Sequence, residues 1–192
     1  MISSRNRYHT YSDENLMALV KSRDQVAFEE LYQRYSKPLL NYFYRMLGQR
    51  EELARDFLQE LFTKLVDQPE RYKNGCRFSS WFYAIAHNMC KNEYRRMEVR
   101  NRNQKLFTET KAESDPDRIL DNKTFHAALE KALDCLSAEQ RSVFILRFQE
   151  QLTIREIHEI LDCSEGTVKS RLFYSVRKLA EELKDFKPDE PR

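Results

Sequence analysis

The chain has few of the residues that punctuate irregular structure: its 192 residues include three Gly and five Pro. So small a supply excludes a sheet protein built on tight turns, and the composition is equally unlike that of a disordered chain. There is no Gly-rich phosphate loop, and no triad or metal constellation stands out, which argues against an enzyme. Cys76, Cys90, Cys135 and Cys163 form no CxxC pair, and the four His complete no zinc pattern around them. Reduced, mostly buried thiols are expected, with no metal and no cofactor. No apolar run reaches the length of a membrane span, and the opening MISSRNRYHTYSDEN holds no signal-peptide core, so a cytoplasmic protein without membrane insertion is predicted. A net charge of +2 is too small to reveal a nucleic-acid partner. Any electrostatic case rests on where the charges cluster.

What the chain does have is helical periodicity, with 33% charged and 12% aromatic residues. The predicted class is all-α, as two small helical domains joined by a flexible linker. Ser12 caps a short first helix carrying Leu16, Leu19 and Val20. From Asp24, apolar residues including Phe28, Leu31, Tyr32, Tyr35, Leu39 and Phe43 recur at helical spacing, and Pro38 is expected to bend or reset that rod. A third helix over 51–66 buries Leu53, Phe57, Leu58, Leu61, Phe62 and Leu65. A fourth runs over 78–97, with Ser79 or Ser80 as its cap. Residues 91–105 then hold six Lys or Arg against two acids, and 106–121 reverse to five acids against two bases. The first stretch reads as a basic arm and the second, with Pro116, as part of a linker. The domains are therefore placed at 12–97 and 123–184, with the linker at 98–122. In the second, Ser137 opens a turn before Val143, Phe144, Leu146 and Phe148.

The most specific stretch is 153–183. Ile154, Ile157, Ile160 and Leu161 mark one amphipathic helix, and Val168, Leu172, Val176 and Leu179 mark another. Between them, residues 162–166 supply turn chemistry, with Ser164 as a cap. This is a helix-turn-helix. Opposite the second stripe lie Ser170, Phe173, Tyr174 and Arg177, flanked by Lys169 and Arg171. A helix of this width fits the major groove, where Arg grips a guanine edge while Lys and Ser hold phosphates. Glu156, His158 and Glu159 are read as solvent-facing rather than as metal ligands.

GTVKSRL at 166–172, after LSAEQRSVF at 136–144 and LTIREI at 152–157, resembles the promoter-reading C-terminal domain of bacterial sigma-70 family factors, the extracytoplasmic-function group in particular. The likeness extends to the first half. FEELYQRY at 28–35 is similar to the opening helix of the sigma-two domain, and DFLQELF at 56–62 to the segment that grips the clamp helices of RNA polymerase. FSSWFYAIAHN at 78–88, followed by Arg95 and Arg96, resembles the helix that opens and reads the minus-ten element.

The resemblance implies a sigma-two-like and a sigma-four-like domain, and a non-enzymatic initiation factor that binds polymerase core and directs it to promoters. Asp56, Gln59, Glu60 and Lys64 are then the polymerase-binding residues. Asn88, Lys91, Asn92, Arg95 and Arg96 serve the minus-ten element, with Asn88 holding an unstacked base. Thr167, Lys169, Ser170, Arg171, Phe173, Tyr174 and Arg177 serve the minus-thirty-five element. Trp81, Phe82 and Ile85 are assigned to packing. The implied partners are polymerase core through its clamp helices and flap, promoter DNA, and an anti-sigma factor. Ala84 and His87 stand where relatives often carry Arg, so phosphate contacts here are expected to be weaker or one of them pH-dependent. Tyr174-Ser175-Val176 replaces the commoner Arg-Ala-Arg, with Val176 read as added core. The rival reading is a conventional helix-turn-helix regulator with an N-terminal sensing or dimerisation domain.

Overall fold

The computed structural model describes residues 7–73, 75–104 and 122–184. Every regular element among them is helical. Most of the expected linker, 105–121, lies outside the described residues, as does Lys105 of the basic arm. In chain order the helices are α1 (Asp13–Lys21), α2 (Gln25–Met46), α3 (Glu51–Asp67), α4 (Phe78–Gln104), α5 (Asn122–Ala132), α6 (Ala138–Phe148), α7 (Ile154–Leu161) and α8 (Glu165–Glu182). α4 thus continues past the boundary at 97 that the change of charge suggested.

Local chemistry explains most helix starts. Ser12 accepts the Asn15 amide at 3.2 Å, and Asp24 accepts that of Ala27 at 3.0 Å, so each satisfies a donor that the first turn leaves unpaired. α4 is different. Neither Ser79 nor Ser80 caps it; instead the Phe78 amide donates to Glu14 Oε1 on α1 at 3.0 Å. That bond holds the Glu14 carboxyl below its ordinary range. Pro38 does not divide α2, which runs as one helix of 22 residues. The missing Pro38 donor costs one ladder bond, whereas Leu31, Tyr35, Leu39, Tyr42 and Phe43 bury apolar surface on both sides of it.

α1 to α4 pack around an aromatic cluster. The Phe82 ring lies 5.1 Å from Phe78, 5.3 Å from Phe62 and 5.7 Å from Tyr35, mostly edge to face. α7 packs on α4 and α6 on α2, so Val143, Ile145, Leu146, Ile157, Ile160 and Val168 join one apolar core with the first bundle. A small separate cluster of Ala132, Leu133, Leu136 and Leu179 ties the end of α5 to α8. Two aromatics of the helical pattern lie outside the core: Tyr32 is 45% exposed and Phe148 is 52% exposed. Each sits at the edge of its helix's apolar arc, where periodicity alone does not decide burial.

Because the α4 start is capped from α1, Glu14→Ala should cost about 1 kcal/mol of stability. Ser79→Ala should cost almost nothing. Urea unfolding of both variants checks this, and equal losses would remove Glu14 from the cap.

Candidate nucleic-acid and polymerase interfaces

The helix-turn-helix is built from reciprocal caps. Thr153 and Glu156 form a capping box at the start of α7, with the Thr153 amide donating to Glu156 Oε2 at 2.8 Å and the Glu156 amide donating to Thr153 Oγ1 at 3.2 Å. α7 ends at Asp162, which takes the left-handed conformation at φ 49°. Ser164 then accepts the Thr167 amide at 3.1 Å to open α8. Gly166 falls inside α8 rather than in the turn. Glu156 is a correction: it is buried, held by the capping box and by an ion pair to Arg77, just before α4, and does not face solvent. His158 is half-buried with Nδ1 2.7 Å from the Cys163 carbonyl oxygen, and only Glu159 is open to solvent.

On α8, Lys169, Ser170, Phe173, Tyr174 and Arg177 are exposed, while Thr167 and Arg171 are half-buried. The inward stripe differs from the expected one. Ser175 is fully buried and Val176 is 42% exposed, because the stripe steps through 168, 172, 175 and 179 and leaves position 176 about 100° away. Ser175 Oγ lies 2.6 Å from the Arg171 carbonyl and 3.1 Å from that of Gln140, so a small hydroxyl serves where α8 meets α6. Val176 instead joins Phe148, Leu172 and Phe173 around an apolar hollow of about 480 Å³ edged by Lys169 and Arg177. The sequence reading missed this hollow because it placed Val176 in the core.

Along α4, Asn88, Lys91, Asn92, Arg95 and Arg96 are all exposed, at spacings of three and four that define one helix face. Arg96 Nη1 lies 3.8 Å from Glu93, a buried acid on the same helix. Trp81 and Ile85 are half-buried against the core and Phe82 is fully buried, as their packing assignment requires. His87 does not stand among the phosphate-binding candidates. Its Nδ1 lies 3.1 Å from Ser142 Oγ on α6 and 3.3 Å from the Tyr42 hydroxyl on α2. Burial and the neighbouring Lys91 push the imidazole down to about 4.

On α3, Asp56, Gln59 and Glu60 are exposed, and Lys64 reaches back to Glu60 at 2.5 Å. Gln59 also lines a groove of about 740 Å³ between α2 and α3, with Phe28, Tyr32, Leu58 and Phe62 in its walls. This combination of an apolar groove and a charged rim was not legible from periodicity, since Phe28 and Tyr32 look like core residues in one dimension. Among the described residues no cluster of three or more His, Cys, Asp or Glu is placed to hold a metal ion.

The family model described as Sigma-70 region 2 matches residues 31–100, and that described as Sigma-70, region 4 matches 126–179. The RNA polymerase sigma factor YlaC of Bacillus subtilis is 31% identical over 159 residues, covering 80% of this chain and 88% of that protein. The chain belongs to the sigma-70 family of RNA polymerase sigma factors, in the extracytoplasmic-function group. The extracytoplasmic-function sigma factor SigW of the same organism is 27% identical, over 86% of this chain and 94% of the relative. Two solved structures share the fold. CnrH, in complex with the cytosolic domain of CnrY, has a TM-score of 0.69 and 21% identity over 91% of this chain and 99% of that one. RpoE of Bartonella quintana, in complex with the anti-sigma factor NepR, has a TM-score of 0.63 and 23% identity over 83% and 99%. As a sigma factor of this group, the protein binds polymerase core, directs promoter recognition and is not an enzyme. No helix among the described residues is long and apolar enough to cross a membrane.

His87, half-buried between α2 and α6, makes stability depend on pH. Its folded value of about 4 lies below the ordinary imidazole value, so the unfolded chain takes up a proton first. The contribution is therefore fully present above pH 6.5 and is lost as pH falls towards 4. Glu150, whose carboxyl is raised chiefly by burial, works in the opposite sense near its own range. Urea unfolding between pH 7.5 and 5 should show stability falling with acidification, and His87→Gln should flatten that slope. An unchanged slope would mean His87 is not the group responsible.

Proposed function

We propose that the first domain, over 12–97, binds polymerase through α3 and reads the minus-ten element through α4, and that the second, over 123–184, reads the minus-thirty-five element through α8. What carries this reading is a division of labour within single helices: α4 and α8 each bury one face and expose another set with Lys and Arg. On α4, Asn88 offers a donor and an acceptor to an unstacked base, while Lys91, Asn92, Arg95 and Arg96 follow the backbone. Unstacking costs a few kcal/mol, so the backbone contacts are as necessary as the pocket.

On α8, Arg177 and Arg171 are the candidates for guanine edges. Lys169, Ser170 and Thr167 suit phosphates, and Phe173 and Tyr174 suit thymine methyls. The linker between the two domains, assigned to 98–122, raises the effective concentration of the second reader once the first is engaged. Asp56, Gln59, Glu60 and Lys64 contribute the polymerase contact, with the flap as the contact of the second domain. The location is the cytoplasm, where polymerase is. The complex of the structurally similar RpoE with the anti-sigma factor NepR supports a corresponding inhibitor for this chain.

Run-off transcription with sigma-free core and a promoter library tests the assignment. Tyr174→Ala should lower transcription from minus-thirty-five-dependent promoters several-fold while leaving core affinity unchanged. Glu60→Lys should weaken core binding without unfolding the domain, since the exposed Lys64 pair is worth only about 0.3–0.5 kcal/mol. Tight binding to duplex DNA with no affinity for core would instead establish a conventional regulator.

A further inference from the structure

The four thiols differ in accessibility: Cys90 is buried, Cys135 and Cys163 are half-buried, and Cys76 is exposed. Cys76 stands two residues before α4, at the rim of a hollow of about 570 Å³ between the start of that helix and α7. Trp81 and Ala84 line the α4 wall, and Arg155 and Glu159 line the α7 wall. The volume lies in the range of small-molecule sites. Ala84 leaves room here that the arginine often carried by relatives would reduce.

One group lining the hollow lacks a counterpart. Ser80 is 6% exposed, and its Oγ has no hydrogen-bond partner among the described residues. A helical serine ordinarily turns back to the carbonyl four residues earlier, but here that carbonyl belongs to Cys76 and accepts from the Tyr72 hydroxyl. A buried hydroxyl left in this way is destabilising, and a bound donor or acceptor relieves it. The charges beside it are also loosely engaged: Arg155 and Glu159 lie 3.7 Å apart, with 82% and 42% of their side chains exposed. They offer a cation to a carboxylate and an anion to an ammonium, and the N-terminal end of α4 adds a preference for negative charge.

We propose that Cys76 is a modification site that takes a zwitterionic low-molecular-weight thiol as a mixed disulfide, with the body of that thiol seated in the hollow against Ser80. The Cys76 thiolate attacks one sulfur of the small molecule's own disulfide. A new sulfur–sulfur bond forms to Cys76 Sγ as the old one breaks, and the departing thiolate keeps the electron pair and takes up the proton that Cys76 released. The small disulfide is the oxidant, and a second thiol reverses the step. Ser80, Ala84 and Asn88 follow at intervals of four on one face of α4. The seated carboxylates therefore lie about one helical turn from the residue assigned to the unstacked base, where they repel the phosphate backbone. That loss of promoter reading rests on the minus-ten assignment above; the modification itself does not.

Oxidised glutathione is the probe, with the uncharged 2-hydroxyethyl disulfide for comparison, and intact mass with peptide mapping reads the product on the full-length chain. The glutathione adduct should form first on Cys76. Its rate relative to the uncharged disulfide should be about threefold or more higher in the folded chain than in the urea-unfolded one. Ser80→Ala and Ala84→Met should each lower the glutathione rate and leave the 2-hydroxyethyl disulfide rate unchanged, with helicity preserved by circular dichroism. If Ala84→Met loses helicity, Ser80→Ala alone decides. Reaction first at Cys135 or Cys163, or a folded chain with no more preference than the unfolded one, would overturn the site. A preference that the folded variants retain in full would overturn the hollow as its seat. In run-off transcription the glutathione adduct should initiate several-fold less than the reduced protein, dithiothreitol should restore it, and Cys76→Ser should be insensitive. An adduct on Cys76 that leaves initiation unchanged would overturn the regulatory part. No initiation by the reduced protein would instead overturn the initiation-factor assignment and leave the mass result standing.

Discussion

Burial of Phe78 and Phe82 among Tyr35, Phe62 and Tyr72 is the interaction on which the rest depends, because it fixes the rotation of α4 about its own axis. Edge-to-face pairs of this kind add about 0.5–1.5 kcal/mol each beyond the area they bury. Once that face points inward, helical geometry decides what every other residue of α4 can meet. Asn88, Lys91, Asn92, Arg95 and Arg96 are left open, whereas Tyr83 and His87, with Arg77 just before the helix, face the second domain. One helix thus serves a core, a candidate nucleic-acid surface and an interdomain contact. A change to its core face would disturb all three.

The interdomain contact uses a different chemistry from the core. The Tyr42 and Tyr83 hydroxyls are pushed far above their ordinary range by burial, so they stay protonated and able to donate. His87 is held neutral by the same burial. These groups work as uncharged hydrogen-bonding partners, which avoids the large cost of burying an isolated charge. Of the charged pairs, Arg77 with Glu156 and Arg45 with Glu130, only Arg77 is open to water, beside the buried Glu156, whereas Arg45 and Glu130 are both half-buried. A contact of this composition can hold two domains together while remaining separable.

Both recognition-type surfaces combine exposed apolar groups with charge. The α2/α3 groove has Tyr32 and Phe62 beside Gln59, and the α8 hollow has Phe173 and Val176 between Lys169 and Arg177. The second arises from a small offset in sequence. Placing Ser175 rather than Val176 in the buried stripe lets α8 lie against α6 and turns a branched apolar residue outward. Exposed aromatics flanked by cations suit either a macromolecular groove or base contacts.

Most elements, their caps and the family could be read in one dimension, because each is a local property. Ser12, Ser137 and Ser164 cap residues three positions away, and helical spacing marks which faces of α3 and α4 are apolar. The exposed polar faces of α3, α4 and α8 followed from the same spacing. Only the tertiary structure decided the rest. Glu14 reaches α4 across 64 residues, His87 is enclosed by side chains from α2 and α6, and Glu156 is buried by a partner 79 residues away. Val176 was misplaced, and the exposure of Tyr32 and Phe148 was not legible, for a related reason. Periodicity gives the angle at which a side chain leaves its helix, but burial depends on whether another element arrives at that angle.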